Sequence, residues 1–73
     1  MDIIKVTKDN LKARLAEHAF EINSCLSRAD DKGILDEFSK SITKYSLCSL
    51  QLQVINSLES QVNEDGPKDE GKN

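Results

Sequence analysis

The segment Tyr45–Val62, YSLCSLQLQVINSLESQV, decides the fold of this chain. Glu59 is its only charged residue, although 32% of the 73 residues are charged. Its apolar residues are Tyr45, Leu47, Cys48, Leu50, Leu52, Val54, Ile55, Leu58 and Val62. In a helix these side chains would surround most of the circumference, and a small domain buries only about 60% of the surface of its unfolded chain. We therefore expect another molecule to cover part of this segment.

Two helices are predicted on either side of Gly33, the only glycine before Gly66. The first extends over 8–29, with Thr7 as its N-cap, and the second extends over 34–62. Because the loop between them is short, the helices must pack as antiparallel neighbours. Gly33 can take the positive φ that such a turn requires.

The two ends of the chain are expected to differ from this helical hairpin, which spans 8–62. Residues 1–7 are assigned to an N-terminal arm, in which Ile3–Val6 either folds back over the second helix or extends the first. Residues 63–73 carry many charges and no large apolar side chain. That composition is typical of a disordered tail. The predicted fold class is all-α, an antiparallel two-helix hairpin with a disordered C-terminal tail.

Apolar residues at alternating spacings of four and three predict the contact between the helices. In the first helix they are Leu11, Leu15, His18, Ile22, Cys25 and Ala29. In the second helix, an inner arc about 100° wide is expected to cover them, and it contains Leu35, Phe38, Ile42, Tyr45 and Leu52. A strand is the alternative for part of this segment, since Leu50, Leu52 and Val54 alternate with polar residues. Ile55 and Leu58 break that alternation, which favours the helix.

A second set of apolar residues lies on a different arc of the second helix, about 160° wide. This outer arc contains Leu47, Cys48, Leu50, Val54, Ile55, Leu58 and Val62. One neighbouring helix cannot bury both arcs, and contiguous apolar patches usually mark interaction surfaces. Three occupants stay open: a protein partner, a second copy of the chain, or the first helix with Ile3–Val6. Except for Cys48, these residues are the predicted partner-binding set, together with Phe20, which lies opposite the stripe of the first helix.

No catalytic, cofactor-binding or metal-binding residues are predicted, and the chain is not expected to be an enzyme. His18 is the only histidine, and it is interpreted as part of the helix contact, bonded to Tyr45. Cys25 and Cys48 are interpreted as packing residues rather than redox partners. The acidic residues around Asp30 lack the spacing of a calcium loop.

Charge and hydropathy narrow the classes of partner. The net charge is −3 and the basic residues are scattered, so nucleic acid is not an expected partner. Polar residues interrupt Tyr45–Val62 throughout, which argues against a membrane span. The first residues lack a basic n-region and a long apolar h-region, so the chain is expected to be cytoplasmic with reduced thiols.

The pattern Leu11-Lys-Ala-Arg14-Leu15, followed by a short turn and a longer second helix rich in Gln and Leu, resembles a known family. It is similar to the small E-type co-chaperones of type III secretion needle subunits, and the resemblance covers Leu11–Val62. It implies binding to a tetratricopeptide-like chaperone, through which a needle subunit stays monomeric in the bacterial cytoplasm. The alternative is a self-assembling structural subunit, either a homodimeric bundle or a needle-like protein.

Overall fold

A computed structural model describes residues 1–65, with side-chain positions from Met1 to Val62. The chain forms two α-helices, α1 (Ile3–Ser27) and α2 (Ile34–Asp65), which contact each other along their lengths. Contacts near the turn join Arg28 to Glu37, and contacts near the opposite end join Lys8 to Glu59, so the helices are antiparallel. The predicted all-α hairpin is confirmed. Within residues 1–65 no strand is present, and the rival interpretation of Leu50–Val54 as a strand is wrong.

Of the two possibilities for the N-terminal arm, the structure shows that Ile3–Val6 extends the first helix: α1 begins at Ile3, and the predicted start at residue 8 is wrong. Asp2, not Thr7, is the N-cap: its backbone is extended, and its carboxylate accepts a hydrogen bond from the Lys5 amide at 3.1 Å. Such a cap satisfies one of the amide groups that a helix start leaves without a partner. An ion pair between Lys5 and Asp9, one turn apart, adds to the same end.

The turn between the helices spans residues 28–33. It ends at Gly33, as predicted, but begins earlier than expected, because α1 ends at Ser27, two residues before the predicted boundary at Ala29. Gly33 has a φ of 76°, the left-handed conformation that glycine adopts without strain. Its carbonyl accepts a hydrogen bond from the Glu37 amide at 3.2 Å, which starts α2.

An ion pair across the turn ties the two helices together. The guanidinium Nη2 of Arg28 donates to Oε2 of Glu37 at 2.8 Å. This hydrogen bond, with the attraction between the charges, lowers the pKa of the Glu37 carboxyl and raises that of the Arg28 guanidinium. Both side chains are partly exposed, so solvent screens the pair.

The seam, meaning the residues of each helix that face the other helix, is thin. Its buried residues are Leu11, Cys25, Ile34, Ser41 and Cys48. Leu15, His18 and Ile22 are half-buried along α1, as the predicted stripe requires, whereas Ala29 is exposed. Within the seam, the Cys48 thiol donates a hydrogen bond to the backbone carbonyl of Leu11 at 3.2 Å.

The predicted inner arc of α2 is only partly correct. Leu35 is 80% exposed and Ile42 is 41% exposed, whereas Ser41 and Cys48 are buried. The side of α2 that faces α1 is thus rotated by about 70° about the helix axis from the predicted inner arc. Two of the three buried residues of α2, Ser41 and Cys48, have small side chains, and the third is Ile34 at the start of the helix. Phe38 and Leu52 are half-buried and Tyr45 lies at the margin of the seam, which leaves part of the predicted arc in place.

The second helix extends to Asp65, three residues beyond the predicted end at Val62. Residues 63–65, which were assigned to the tail, are therefore helical. Residues 66–73 of the predicted tail lie outside the described residues. Neither helix contains, within the residues that the structure describes, an apolar stretch long enough to span a bilayer.

Candidate functional site: an apolar groove beside the helix seam

Five large apolar side chains of α2 lie on the surface in a continuous row, which we call the outer stripe. It consists of Leu47, Leu50, Val54, Leu58 and Val62, and each residue is between 43% and 57% exposed. The spacing of three and then four residues keeps successive members on one side of the helix. All five belong to the partner-binding set predicted from the sequence, and they form one surface.

The outer stripe borders three open surface cavities that adjoin one another through shared lining residues. The largest has a volume of about 460 Å³ and lies between the helices, with Leu11, Leu50, Val54 and Ile55 as its apolar walls. A second cavity of about 170 Å³ continues it past Gln51 to Leu47. The third, of about 390 Å³, lies on the outside of α2 and shares Leu47 and Leu50 with the others. Because neighbouring cavities share residues, we treat them as one groove.

The far end of the outer stripe has a separate, smaller cavity of about 80 Å³. It is lined by Asp2, Ile4, Glu59 and Val62. Ile4 is half-buried there, so the first turn of α1 reaches the last described turn of α2. The ion pair between Lys8 and Glu59, with nitrogen and oxygen 2.5 Å apart, holds the two helices together at this level.

Polar residues of α1 form the opposite wall of the groove, and none of them belongs to the partner-binding set predicted from the sequence. They are Thr7, Asn10 and Arg14, of which Arg14 lines both the first and the second cavity. Lys44 of α2 joins them at the second cavity. Their spacing contains a usable signal, since residues 7, 10 and 14 recur at three and four positions and so share one side of a helix. The side on which they lie relative to α2 depends on the packing.

Two members of the predicted partner-binding set do not belong to the outer stripe. Ile55 is half-buried and lines the groove beside Leu11, so it contributes to the seam as well as to the groove wall. Phe20 is 75% exposed on α1 and lines none of the cavities described above. The structure therefore does not bring Phe20 together with the outer stripe.

Three further side chains could in principle take part in chemistry, namely His18, Cys25 and Cys48, and each contacts other residues of the hairpin. Nδ1 of His18 lies 3.2 Å from Oε1 of Glu21, and this hydrogen bond replaces the expected one to Tyr45. Cys25 and Cys48 are both free and buried. Cys25 lies beside Arg28 near the turn, and Cys48 contacts Leu11, about 21 Å farther along α1, so the thiols cannot form a bridge with each other. Within residues 1–62, no three His, Cys, Asp or Glu side chains are grouped as they would be around a metal ion.

No family model, curated protein sequence or solved structure matches this chain.

Proposed function

We propose that this hairpin is a non-enzymatic co-chaperone or adaptor. It binds a helical-repeat chaperone of the tetratricopeptide type and, through it, helps to keep a type III secretion needle subunit soluble and monomeric in the bacterial cytoplasm. The single observation that carries the proposal is the exposure of the outer stripe along α2. The resemblance of the Leu11–Leu15 pattern and of the longer second helix to the E-type co-chaperones supplies the class of partner.

The outer stripe supports a binding role because it is contiguous. Isolated exposed leucines are common on protein surfaces and require no explanation. Five large apolar residues in a row along one helix, beside a groove, form the kind of patch that marks an interaction site. An amphipathic helix lying in an apolar groove is a frequent mode of recognition between helical proteins.

The thin seam supports a role in which the hairpin acts together with a larger protein. Its buried apolar residues are only Leu11, Cys25, Ile34 and Cys48 within the described part of the chain. A domain of this size has little stability to spare, because the ordering of each residue costs about 1.5 kcal/mol. Burial of the outer stripe against a chaperone would stabilise both proteins by the same contacts.

The proposal is tested by co-expression of the tagged chain with a tetratricopeptide-type chaperone and a needle subunit. Leu50→Asp and Val54→Asp should abolish co-purification, since each places a charge in the centre of the apolar interface. Leu35→Asp is the matched control, because Leu35 is also exposed on α2 but lies away from the outer stripe. All three variants should keep the helical circular dichroism of the isolated chain.

Two results would contradict the proposal. Co-purification that survives both substitutions would mean that the outer stripe does not bind the chaperone. Loss of helical structure in both isolated variants, with Leu35→Asp unaffected, would mean that this surface belongs to the core. Phe20 is a candidate for a further contact on the opposite face, and Phe20→Ala in the same experiment shows whether the partner reaches it.

The second candidate function is self-assembly through the same surface. It is favoured by the spacing of Leu50, Val54, Leu58 and Val62, because ridges of residues four apart interdigitate readily with an identical ridge. Sedimentation of the pure chain over a series of concentrations separates the two candidates. A tight oligomer that Val54→Asp dissociates would support self-assembly, whereas a monomer that requires the chaperone would support the adaptor.

A further inference from the structure

The groove carries a local charge opposite to that of the chain as a whole. The chain has a net charge of −3. Yet none of the described residues that line the three cavities is acidic, whereas Arg14 and Lys44 are basic and exposed. Arg14 of α1 and Lys44 of α2 therefore lie beside the apolar residues that line the groove.

These two cations are available for a partner. Within residues 1–62, neither Arg14 nor Lys44 takes part in an ion pair, while Lys5, Lys8, Arg28 and Lys40 all do. His18, which also lines the second cavity, already bonds to Glu21. At the other end of the outer stripe the sign reverses, because Asp2 and Glu59 line the small cavity beside Val62.

We infer that the segment occupying this groove is an amphipathic α-helix with acidic side chains along one flank, which pair with Arg14 and Lys44. The inference rests on the proposed function and specifies the chemistry of the partner. A helix fits because the outer-stripe residues Leu47, Leu50 and Val54 form a ridge against which the side chains of another helix can pack. Two packed helices also leave a groove that a third helix can fill. Carboxylates fit because they complement both cations, and the planar guanidinium of Arg14 binds carboxylates through paired hydrogen bonds.

The test uses the full chain and three synthetic helical peptides of about 20 residues, long enough to form helix in water. The peptides share one stripe of leucines and differ only in the flanking residues, which are Glu, Gln or Lys. The Glu peptide should bind about two- to tenfold more tightly than the Gln peptide, since exposed ion pairs contribute modestly. The Lys peptide should bind more weakly than both, and high salt should remove these differences.

Substitutions of Arg14 and Lys44 test whether these two cations cause the preference for the Glu peptide. Arg14→Gln and Lys44→Gln should each lower the affinity for the Glu peptide about 1.5- to fivefold and leave the affinity for the Gln peptide unchanged. Lys12→Gln is the matched control, because Lys12 is exposed on α1 but lines none of the three cavities. Val54→Ala, which removes apolar contact without adding a charge, should weaken all three peptides alike.

The outcomes separate this inference from the proposed function. If the Glu, Gln and Lys peptides bind equally well, the inference fails, while the groove remains a docking site for a helix. If none of them binds, the inference fails, and co-purification with the chaperone then decides the proposed function independently. A chain that dimerises through the outer stripe and excludes all three peptides also overturns the inference, because the occupant is then a second copy.

Discussion

Leu11→Ala, in the seam, should lower the stability of the isolated chain. Leu50→Ala, in the outer stripe, should instead lower the affinity for a partner. Leu11 is only 5% exposed, and Leu50 is 57% exposed. Removal of a fully buried leucine side chain to alanine costs about 2–5 kcal/mol, through lost burial and the cavity that remains. A folded unit of about 65 residues has a total stability of about 3–10 kcal/mol. Leu11→Ala should therefore remove a large part of the stability of the isolated chain.

Leu50→Ala should scarcely change the stability of the isolated chain. Complete burial of a leucine contributes about 1.5–3 kcal/mol, and the hairpin itself buries less than half of Leu50. The expected loss is about 0.6–1.3 kcal/mol, and the high helix propensity of alanine offsets part of it. Burial of the exposed remainder by a partner would contribute about 1–2 kcal/mol, so Leu50→Ala should weaken the complex roughly 5- to 30-fold.

Urea unfolding followed by far-ultraviolet circular dichroism measures the first effect, and titration of the chaperone with each variant measures the second. The unfolding curves should be recorded at several protein concentrations, because self-association would make the midpoint depend on concentration. The reasoning is refuted if Leu50→Ala lowers the free energy of unfolding as much as Leu11→Ala does. It is refuted equally if Leu50→Ala leaves the affinity for the chaperone unchanged.

Three further predictions concern the seam and the turn. Cys48→Leu should destabilise the hairpin by about 1–3 kcal/mol in the same urea assay, because the larger side chain must push the helices apart. Cys48→Ser should cost less, since the serine can still donate a hydrogen bond to the Leu11 carbonyl. Equal losses of stability in the two variants would contradict close packing at this position. Gly33→Ala should lower the free energy of unfolding by about 1–2 kcal/mol, because alanine is strained at the positive φ of this position. A steric clash does not contribute, since an added Cβ meets no atom within 4 Å. An unchanged stability would contradict the left-handed turn. Arg28 lowers the pKa of Glu37, so the stabilisation from this pair is present above the ordinary carboxyl pKa of 4.5 and is lost as the pH falls through the lowered value. Urea unfolding from neutral to acidic pH should therefore show wild type and Glu37→Gln converging in acid, and a constant difference would argue against the pair.

Much of the fold was predictable because it depends on local sequence. The helical spacing of apolar residues, Gly33 as the only glycine before Gly66, and the absence of proline before residue 67 are sufficient to predict two helices and one turn. The start of α1 was predictable in principle, since Asp2 precedes an uninterrupted helical segment, but Thr7 is an equally good cap by residue type. Asp2 is the cap in the structure, and the ion pair of Lys8 with Glu59 and the half-buried Ile4 add contacts to the first turns.

The candidate site was predictable only in part. The outer stripe follows from the sequence alone, because residues three and four apart share one side of a helix whatever lies next to it. The opposite wall of the groove does not, since Thr7, Asn10 and Arg14 belong to the other helix. Their position beside Leu50 and Val54 depends on how far each helix is rotated about its axis.

The sequence by itself determined an all-α hairpin with more apolar surface on its second helix than the first helix can cover. Only the tertiary structure decided which arc of α2 faces inward. Hydrophobicity favoured Leu35 and Ile42, yet Ser41 and Cys48 are buried and the two larger residues are exposed. The physical reason is that helix periodicity places residues relative to one another on a single helix, whereas the rotation between two helices is set by how closely their backbones approach, and small side chains permit the closest approach.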